Sequence, residues 1–528
     1  MLNQRAIRRI GKGTYSNVYS VGSARDEQEG DLVLKRNFTD GQISWSNNIK
    51  ELDMLARLRG HPFIISLEFV CFGNPFPDYP LSPCREAKDD NLHFFLERML
   101  SSSRQLFCET NTSEGYYVQV NILATQLLLA VEFIHSQEII HRDIKPDNIL
   151  LGQRDEKDLK TDECGIFLRL SDFGLSKNVC PTVPSTPGTV SGWYRAPEIS
   201  MGLEYGEPSD MWSVGCVLFE MVAGRPLLSK ASGDGDQVIY QEILSILPRS
   251  ASEEYLAKAW NMSSLSQPFP RGRENGRRMS FQEQANLSPQ DMIWFNETSN
   301  SSQYFDVVNG LLEFDPSKRW TAKRALDSPY FEDMREYIKA VRTVCPPKGR
   351  EVTVKILKSP ERKWMANIVA GIVNHPEKHR HLTDQMIFQA ISIFDRYISW
   401  MEQTQDKNSA LSQTVGWFHS SKELSLRFQT ILYLSYKYFL SRDSLRISWT
   451  DFHPEGLAGS DNEERAKAFE IKLLEQILKY HIFEQTPFEH LAKKYVIDHE
   501  NALILIQKYI TIEEWDGPMS GLVLTLLG

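Results

Sequence analysis

His141-Arg142-Asp143-Ile144-Lys145-Pro146-Asp147-Asn148 is the stretch from which the fold of this chain is read. It sets an Asp, a Lys two residues on and an Asn five residues on. Twenty-nine residues after Asp143 stands Asp172-Phe173-Gly174, and Ala196-Pro197-Glu198 follows. Each group alone is commonplace. Their order and their distances together are not a chance arrangement.

Composition bounds the rest. The chain has 528 residues, too many for one core, so two or three domains are expected. Apolar content of 41% and charged content of 24% suit a soluble globular protein. A net charge of −10 disfavours a nucleic-acid grip, which needs a dense basic face. Seven cysteines lie scattered without C-x-x-C pairs, which indicates a reducing compartment and no structural zinc. The start lacks a signal-peptide apolar stretch, and no run approaches the roughly 18 apolar residues of a membrane span. A cytoplasmic or nuclear location, with no direct nucleic-acid or membrane partner, is the expectation.

The three groups resemble those of eukaryotic protein kinases. The resemblance implies that Asp143 takes the proton of a substrate hydroxyl, and that Asn148 and Asp172 hold Mg²⁺ bridging the phosphates of ATP. Lys145 is similar to the lysine that contacts the transferring phosphate in the Ser/Thr branch. Upstream, residues 10–19 read as strand, turn, strand, with Gly11 and Gly13 allowing backbone amides close to phosphate. By resemblance Ile10, Gly11, Gly13 and Val18 border the nucleotide, Val18 over the adenine, while Ser16 replaces the third family glycine. Leu32-Val33-Leu34 is a short apolar strand ending in Lys35. Sixteen residues on, Glu51 sits in a stretch whose apolar residues 52, 55 and 58 have helical spacing. Lys35 and Glu51 match the ion pair that orients ATP phosphates. Residues 45–51 resemble the PSTAIRE helix of cyclin-dependent kinases, identical at Ser46, Ile49 and Glu51. Residues 74–91 read as a surface loop and 92–96 as a strand. Leu96 is similar to the gatekeeper, with Glu97 and Met99 offering backbone groups to adenine. Residues 116–136 read as one long helix, and 152–165 as a solvated extension between two short strands.

The activation segment runs from Asp172 to Glu198. Its end, Trp193-Tyr194-Arg195-Ala196-Pro197-Glu198, resembles the group of cyclin-dependent and mitogen-activated kinases, which implies protein substrates with Ser/Thr-Pro. Counted back from Glu198, Thr186 matches the activating phosphothreonine and implies an activating kinase. Thr189 is a rival register, and a plain loop threonine the alternative. Lys50, Arg142 and Lys177 are the cations available to that phosphate. Thr14 and Tyr15 match inhibitory phosphosites, or form an unmodified loop pair. Asp210 to Cys216 matches the helix that anchors the catalytic loop. Arg319 is expected to pair with Glu198, and His135 and His141 to be structural. Residues 232–305 read as a solvated insert, with a docking surface as the alternative.

Residues 336–528 exceed what a kinase needs. Pro346-Pro347-Lys348-Gly349 breaks a helix, placing a linker at 336–358. Beyond it the periodicity is helical. Ile387, Ala390, Ile391, Phe394 and Ile398 share one face. Phe428, Ile431, Leu432, Ser435 and Phe439 repeat the pattern in a segment apolar nearly all round, so it is expected at the centre of a bundle. Residues 391–399, 434–438 and 469–491 resemble, in order, three stretches of a cyclin box. That implies a cyclin-dependent kinase fused to its own cyclin, with Lys437 and Glu470 as the residues that bond the kinase, and Arg362 paired with Asp395. Such fusions suggest large DNA viruses or protists.

The expected class is α+β: a bilobal protein kinase fold followed by an all-α cyclin-like helical bundle. The expected bounds are 1–335 (small lobe 1–99, large lobe 100–335), linker 336–358, cyclin-like domain 359–495 and helical extension 496–528. The cofactors are ATP and Mg²⁺. A tethered cyclin-like domain docks at an effective concentration in the mM range, and a flexible 23-residue linker spans roughly 25 Å. The expected outcome is activity without a separate cyclin. Two alternatives stay open: a catalytically weak scaffold whose helical domain recruits partners, and a kinase with a generic helical docking module.

Overall fold

The computed structural model describes residues 5–12, 16–23, 32–37, 42–72, 92–108, 114–153, 165–178, 192–228, 236–246, 280–286, 292, 295, 300–345, 353–356, 365–366, 368–370, 372–373, 382–405, 421–439, 460–474, 478, 499–512, 515–518 and 522. The first unit is a five-stranded antiparallel sheet, β1 (Arg5–Lys12), β2 (Ser16–Ser23), β3 (Leu32–Asn37), β4 (Leu67–Phe72) and β5 (Leu92–Glu97), in the order β1-β2-β3-β5-β4. Helix α1 (Gln42–Arg57) follows β3. Side chains alternate along each strand. Leu34 and Phe95 therefore join Tyr19 and Val21 in a small cluster on one face of the sheet. Their neighbours Lys35 and Phe94, a cross-strand pair, take the other face. Leu52 and Leu55 of α1, and Leu58 just after it, enter the main core, as their spacing predicts.

The larger lobe begins with β6 (Ser101–Ser102), α2 (Ser103–Cys108) and α3 (Glu114–Ser136). Helix α3 is long and apolar enough, by length and composition, to cross a membrane, which corrects the expectation that no stretch comes near that limit. Its apolar residues from Leu123 to Ile134 are instead buried in the lobe, apart from the partly buried Phe133. Strands β7 (Ile139–Ile140), β8 (Ile149–Gln153), β9 (Ile166–Leu170) and β10 (Lys177–Asn178) bracket the catalytic loop. The sheet β6-β8-β9 and the pair β10-β7 hold it from both sides. The lobe continues with α4 (Pro197–Ser200), α5 (Glu207–Ala223), α6 (Asp236–Ile246), α7 (Phe281–Ala285), α8 (Ser301–Leu311) and α9 (Ala322–Leu326). Helix α5 starts with a proline in its first turn and stops at Gly224, whose φ of 65° an L side chain would strain. Between those ends Ser209 to Val222 are all buried.

The stretch expected as a linker is structured at both ends. Arg335–Val344 forms α10, and Thr353–Ile356 forms β11. Helix α10 belongs to the larger lobe. Ile338 is part of the main core, and Arg342 makes two 2.8 Å bonds to the Glu132 carboxylate of α3. Pro346 to Gly349 lie outside the described residues, and a break signal in sequence says nothing of what the preceding helix packs on.

The C-terminal unit contains α11 (Asp384–Gln405), α12 (Ser421–Phe439), α13 (Ser460–Lys472) and α14 (His499–Thr511). Both predicted helical faces are buried, with Phe439 outside the described side chains. Helix α12 packs on α11, α13 and also α1, so the segment apolar on all sides is the central one. The unit is not all-helical: β12 (Trp515–Pro518) pairs antiparallel with β11. The 496–528 extension, expected to be helical, thus closes back on residues expected to be linker. Tyr509 of α14 stacks on Phe388 and reaches Asp395 at 3.5 Å. Arg362, the expected partner of Asp395, lies outside the described residues.

Candidate active site

The alternation that turns Lys35 inward brings it to Glu51. Lys35 Nζ lies 2.5 Å from Glu51 Oε1 and 2.7 Å from Asp172 Oδ1. Burial alone would lower the lysine pKa, but Asp172 and Glu51 outweigh it and raise it. In return, the Lys35 charge holds the Asp172 carboxyl below its usual range against burial. Three residues far apart in sequence thus form one charge cluster between the lobes.

Asp172 has φ of +65°, a left-handed conformation unusual for a non-glycine residue. That twist leads into a 3₁₀ turn, Phe173–Leu175, which packs on α1. The residues just before it are fixed too. Leu170 N–H donates to Phe63 O at 2.9 Å, and Ile65 N–H to Leu170 O at 3.0 Å. The loop after α1 and the strand before Asp172 are therefore one piece.

The catalytic loop hangs from Asp210, which is buried in α5. Its carboxylate accepts the N–H groups of His141 at 2.8 Å and Arg142 at 2.9 Å, with His135 Nε2 at 3.0 Å. Burial would raise this carboxyl, but His135 and the His141 amide hold it below its usual range. His141 Nε2 donates to Ser171 O, and Nδ1 accepts the Asp143 N–H, so the imidazole ties the loop to the end of β9. Its ring lies 4.8 Å from Phe173, consistent with the structural role expected of it. Within the loop, Lys145 Nζ is 2.6 Å from Asp143 Oδ2. Asn148 Nδ2 donates to Asp143 O at 2.7 Å and to Oδ2 at 2.9 Å. Asp143, Lys145 and Asn148 are brought together, as their spacing requires.

Asn148 uses its NH₂ on Asp143, which leaves its carbonyl oxygen as a ligand. The Asp172 side chain is 48% exposed and has a second carboxylate oxygen beyond the one on Lys35. Two oxygen donors suit Mg²⁺, which takes one or two protein ligands and completes its shell with water and phosphate. No group of three or more His, Cys, Asp or Glu placed to hold a metal ion occurs among the described residues. The donor set thus fits a phosphate-borne cation and not a fully protein-bound one.

On the nucleotide side, Gly11 pairs with Val18 across the β1–β2 ladder, next to a bulge between Arg9 and Gly11. Ile10 is half exposed at that edge. Glu97 donates its N–H to Ser66 O at 3.1 Å, so its carbonyl is the group it could offer adenine. Its carboxylate is taken by Ser66 N–H and by Arg169 Nε. Met99 lies partly buried two residues on. Gly13, Thr14, Tyr15, Thr186, Thr189, Ser191 and the Lys177 side chain lie outside the described residues. Arg142 donates from Nε to Leu175 O at 2.5 Å. The Glu198–Arg319 pair is present and bidentate, at 2.8 and 3.0 Å.

Lys437 and Glu470 are both buried, and Lys437 Nζ meets Glu470 Oε1 at 2.5 Å. Lys437 stands on α12, the helix that packs on α1. At that contact Ile49 is fully buried in the same cluster as Phe394, Ile431 and Leu434, away from the core that takes Leu52 and Leu55. Helix α1 is thus shared: Ile49 faces the C-terminal unit, and Glu51 faces Lys35. Sequence reading missed Arg104, which bridges to Asp147 in the catalytic loop. A lone arginine at the start of a short helix carries no periodic or motif signal.

The protein kinase domain family matches residues 5–331. The chain belongs to the protein kinase family. Human cyclin-dependent kinase 10 is 32% identical over 332 residues, covering 62% of this chain and 79% of that protein. The human MAPK/MAK/MRK overlapping kinase is 29% identical over 339 residues, covering 64% of this chain and 69% of that protein. The Caenorhabditis elegans cyclin-dependent kinase 4 homolog is 29% identical over 338 residues, covering 61% and 70%. This kinase therefore stands among the cyclin-dependent-kinase-like Ser/Thr kinases, and a protein kinase domain of this type uses ATP and Mg²⁺.

Proposed function

We propose that this kinase transfers the ATP γ-phosphate to Ser or Thr followed by Pro, and that its C-terminal unit is a cyclin-like domain that activates it in cis. The observation that carries the reading is the double role of α1: Ile49 is buried against the C-terminal helices while Glu51, two residues on, is paired with Lys35. A helix seated from one side cannot swing its glutamate away on the other without exposing Ile49. Asp143, oriented by Lys145 and Asn148, receives the substrate hydroxyl and takes its proton. Lys35 holds the α- and β-phosphates, and Glu51 keeps Lys35 in place. Lys145 stabilises the transferring group as it leaves ADP. Asn148 and Asp172 would hold Mg²⁺, which would supply positive charge against the phosphates. Lys437 and Glu470 support the α12–α13 face that meets α1. We assign Thr186 to activating phosphorylation, and Thr14 and Tyr15 to inhibitory phosphorylation.

The test is phosphate transfer to a Ser-Pro peptide by the full chain with no cyclin added. Asp143→Asn, Lys437→Glu and the fragment 1–345, which retains α10, run beside it. Transfer by wild type alone supports the reading. Equal rates in the fragment and the full chain would refute activation in cis. Equal rates on Ser-Pro and Ser-Ala peptides would refute proline direction.

A further inference from the structure

Arg104 opens α2 and reaches across to the catalytic loop. Its Nε and Nη2 donate to the two oxygens of Asp147 at 2.7 and 2.6 Å. Nη2 also lies 3.3 Å from the Tyr194 hydroxyl, and that hydroxyl donates to Glu220 Oε2 at 2.7 Å. Arg104 Nη1 is 3.8 Å from Glu220 Oε1. The guanidinium stands 5.8 Å over the Trp193 ring. One cation from α2 therefore serves two carboxylates, one on the catalytic loop and one on α5. It does so beside the residues that close the activation segment.

The network runs from the surface inward: Glu220 and Tyr194 are buried, while Arg104 and Asp147 are its open end. The side chains of Arg104 and Asp147 are 29% and 47% exposed. Burial pushes the Glu220 carboxyl up, while Arg104 holds the Asp147 carboxyl down against its own burial. Position gives the arrangement a role. Asp147 lies four residues after Asp143, so their Cα atoms are at most about 15 Å apart. An extended substrate with its hydroxyl at Asp143 advances about 3.3 Å per residue. Substrate side chains two to four residues from the phosphoacceptor thus come within reach of Asp147. Without Arg104, two carboxylates would stand there lacking their cation, and a bidentate partner for them is an arginine side chain.

We propose that Arg104 is a specificity-determining residue: an internal cation that fills the acidic niche of Asp147 and Glu220 and denies it to basic side chains of protein substrates. The proposal rests on the reading of Asp143 as the site of transfer. It assigns the wild-type chain to substrates that carry no arginine at the niche position, because an arriving arginine meets a like charge there.

The experiment uses the full chain as wild type, Arg104→Ala, Arg104→Lys and Arg104→Ala/Asp147→Asn. The probes are a Ser-Pro peptide and a set in which one arginine is moved through the four positions on either side of the serine. Both kcat/KM and equilibrium binding of labelled peptides, by fluorescence anisotropy, are measured. Arg104→Ala is expected to gain about tenfold or more for arginine at one or two positions, relative to wild type, the size of a charged hydrogen-bonded pair. Arg104→Lys should keep the wild-type profile, and the double variant should lose the gain. A uniform fall across all peptides, with no new arginine preference, would show that Arg104 only braces α2 and would overturn the proposal. If no variant transfers phosphate, the reading of Asp143 fails. Binding then still decides: tighter binding of one arginine peptide by Arg104→Ala upholds the niche, and identical binding by all variants overturns it.

Discussion

Helix α1 has one face toward the Lys35 site and one toward the C-terminal unit, so Ile49 is the residue at which the two can be uncoupled. Ile49→Ala removes three carbons from a fully buried position, a loss of about 3 kcal/mol or roughly 150-fold in the docking equilibrium. A tethered partner at about 1 mM effective concentration, making a micromolar contact, is docked about a thousand to one. Ile49→Ala would leave that ratio near six to one and the rate nearly unchanged. Ile49→Asp loses the same packing and adds at least about 3 kcal/mol for an unpaired buried carboxylate. The ratio falls to about one in twenty-five, and the rate to about 4% of wild type. The assay is the initial rate on a Ser-Pro peptide for wild type, Ile49→Ala and Ile49→Asp, with thermal unfolding of each. The control is the 1–345 fragment carrying Ile49→Asp, where the position faces water and the change should be within about 0.5 kcal/mol. A wild-type rate for full-length Ile49→Asp would refute the reasoning. So would an equal loss of thermal stability in the fragment and in the full chain, since the aspartate would then be acting on α1 itself.

Three further outcomes are expected. Glu51→Gln, which removes one of the two carboxylates on Lys35, should slow transfer about a hundredfold through misplacement of the phosphates, with the melting temperature little changed; steady-state rates and calorimetry check it. Arg319→Met leaves Glu198 buried without its cation and should cost about 3–5 kcal/mol in urea unfolding. His61 is held to a pKa of about 3 by burial and by Arg169, and its Nδ1 accepts the Phe63 N–H, so it stays neutral when folded. The unfolded imidazole takes its proton near 6.5, so stability is intact above that pH and falls as pH drops toward 3. Between pH 7.5 and 5 this amounts to about 2 kcal/mol. His61→Gln should flatten that part of the stability profile, and an unchanged slope would count against the assignment.

The sequence by itself determined the kinase fold and which residues of the candidate site come together, because those residues are spaced by local geometry. Asp143, Lys145 and Asn148 sit within one loop, so their meeting follows from the chain path. Lys35 and Glu51 were legible because they match the ion pair of the kinase pattern, and strand alternation and helical spacing are what turn them toward each other in the fold. Helical periodicity likewise gave both buried faces of the C-terminal unit and the central place of α12. What the periodicity could not give is the partner of each face. That Ile49 leaves the kinase core and enters another one, and that Lys437 meets Glu470 across α12 and α13, depends on how separate elements pack. The same holds for α10, whose Arg342 pairs with Glu132 more than two hundred residues away. It holds also for the β11–β12 ribbon, which joins two four-residue segments too short for alternation to mark. Arg104 is the plainest case. Its neighbours in the chain do not distinguish it, and its role comes only from the carboxylates that the catalytic loop and α5 bring to it, since charge acts through distance in space and not through separation in sequence.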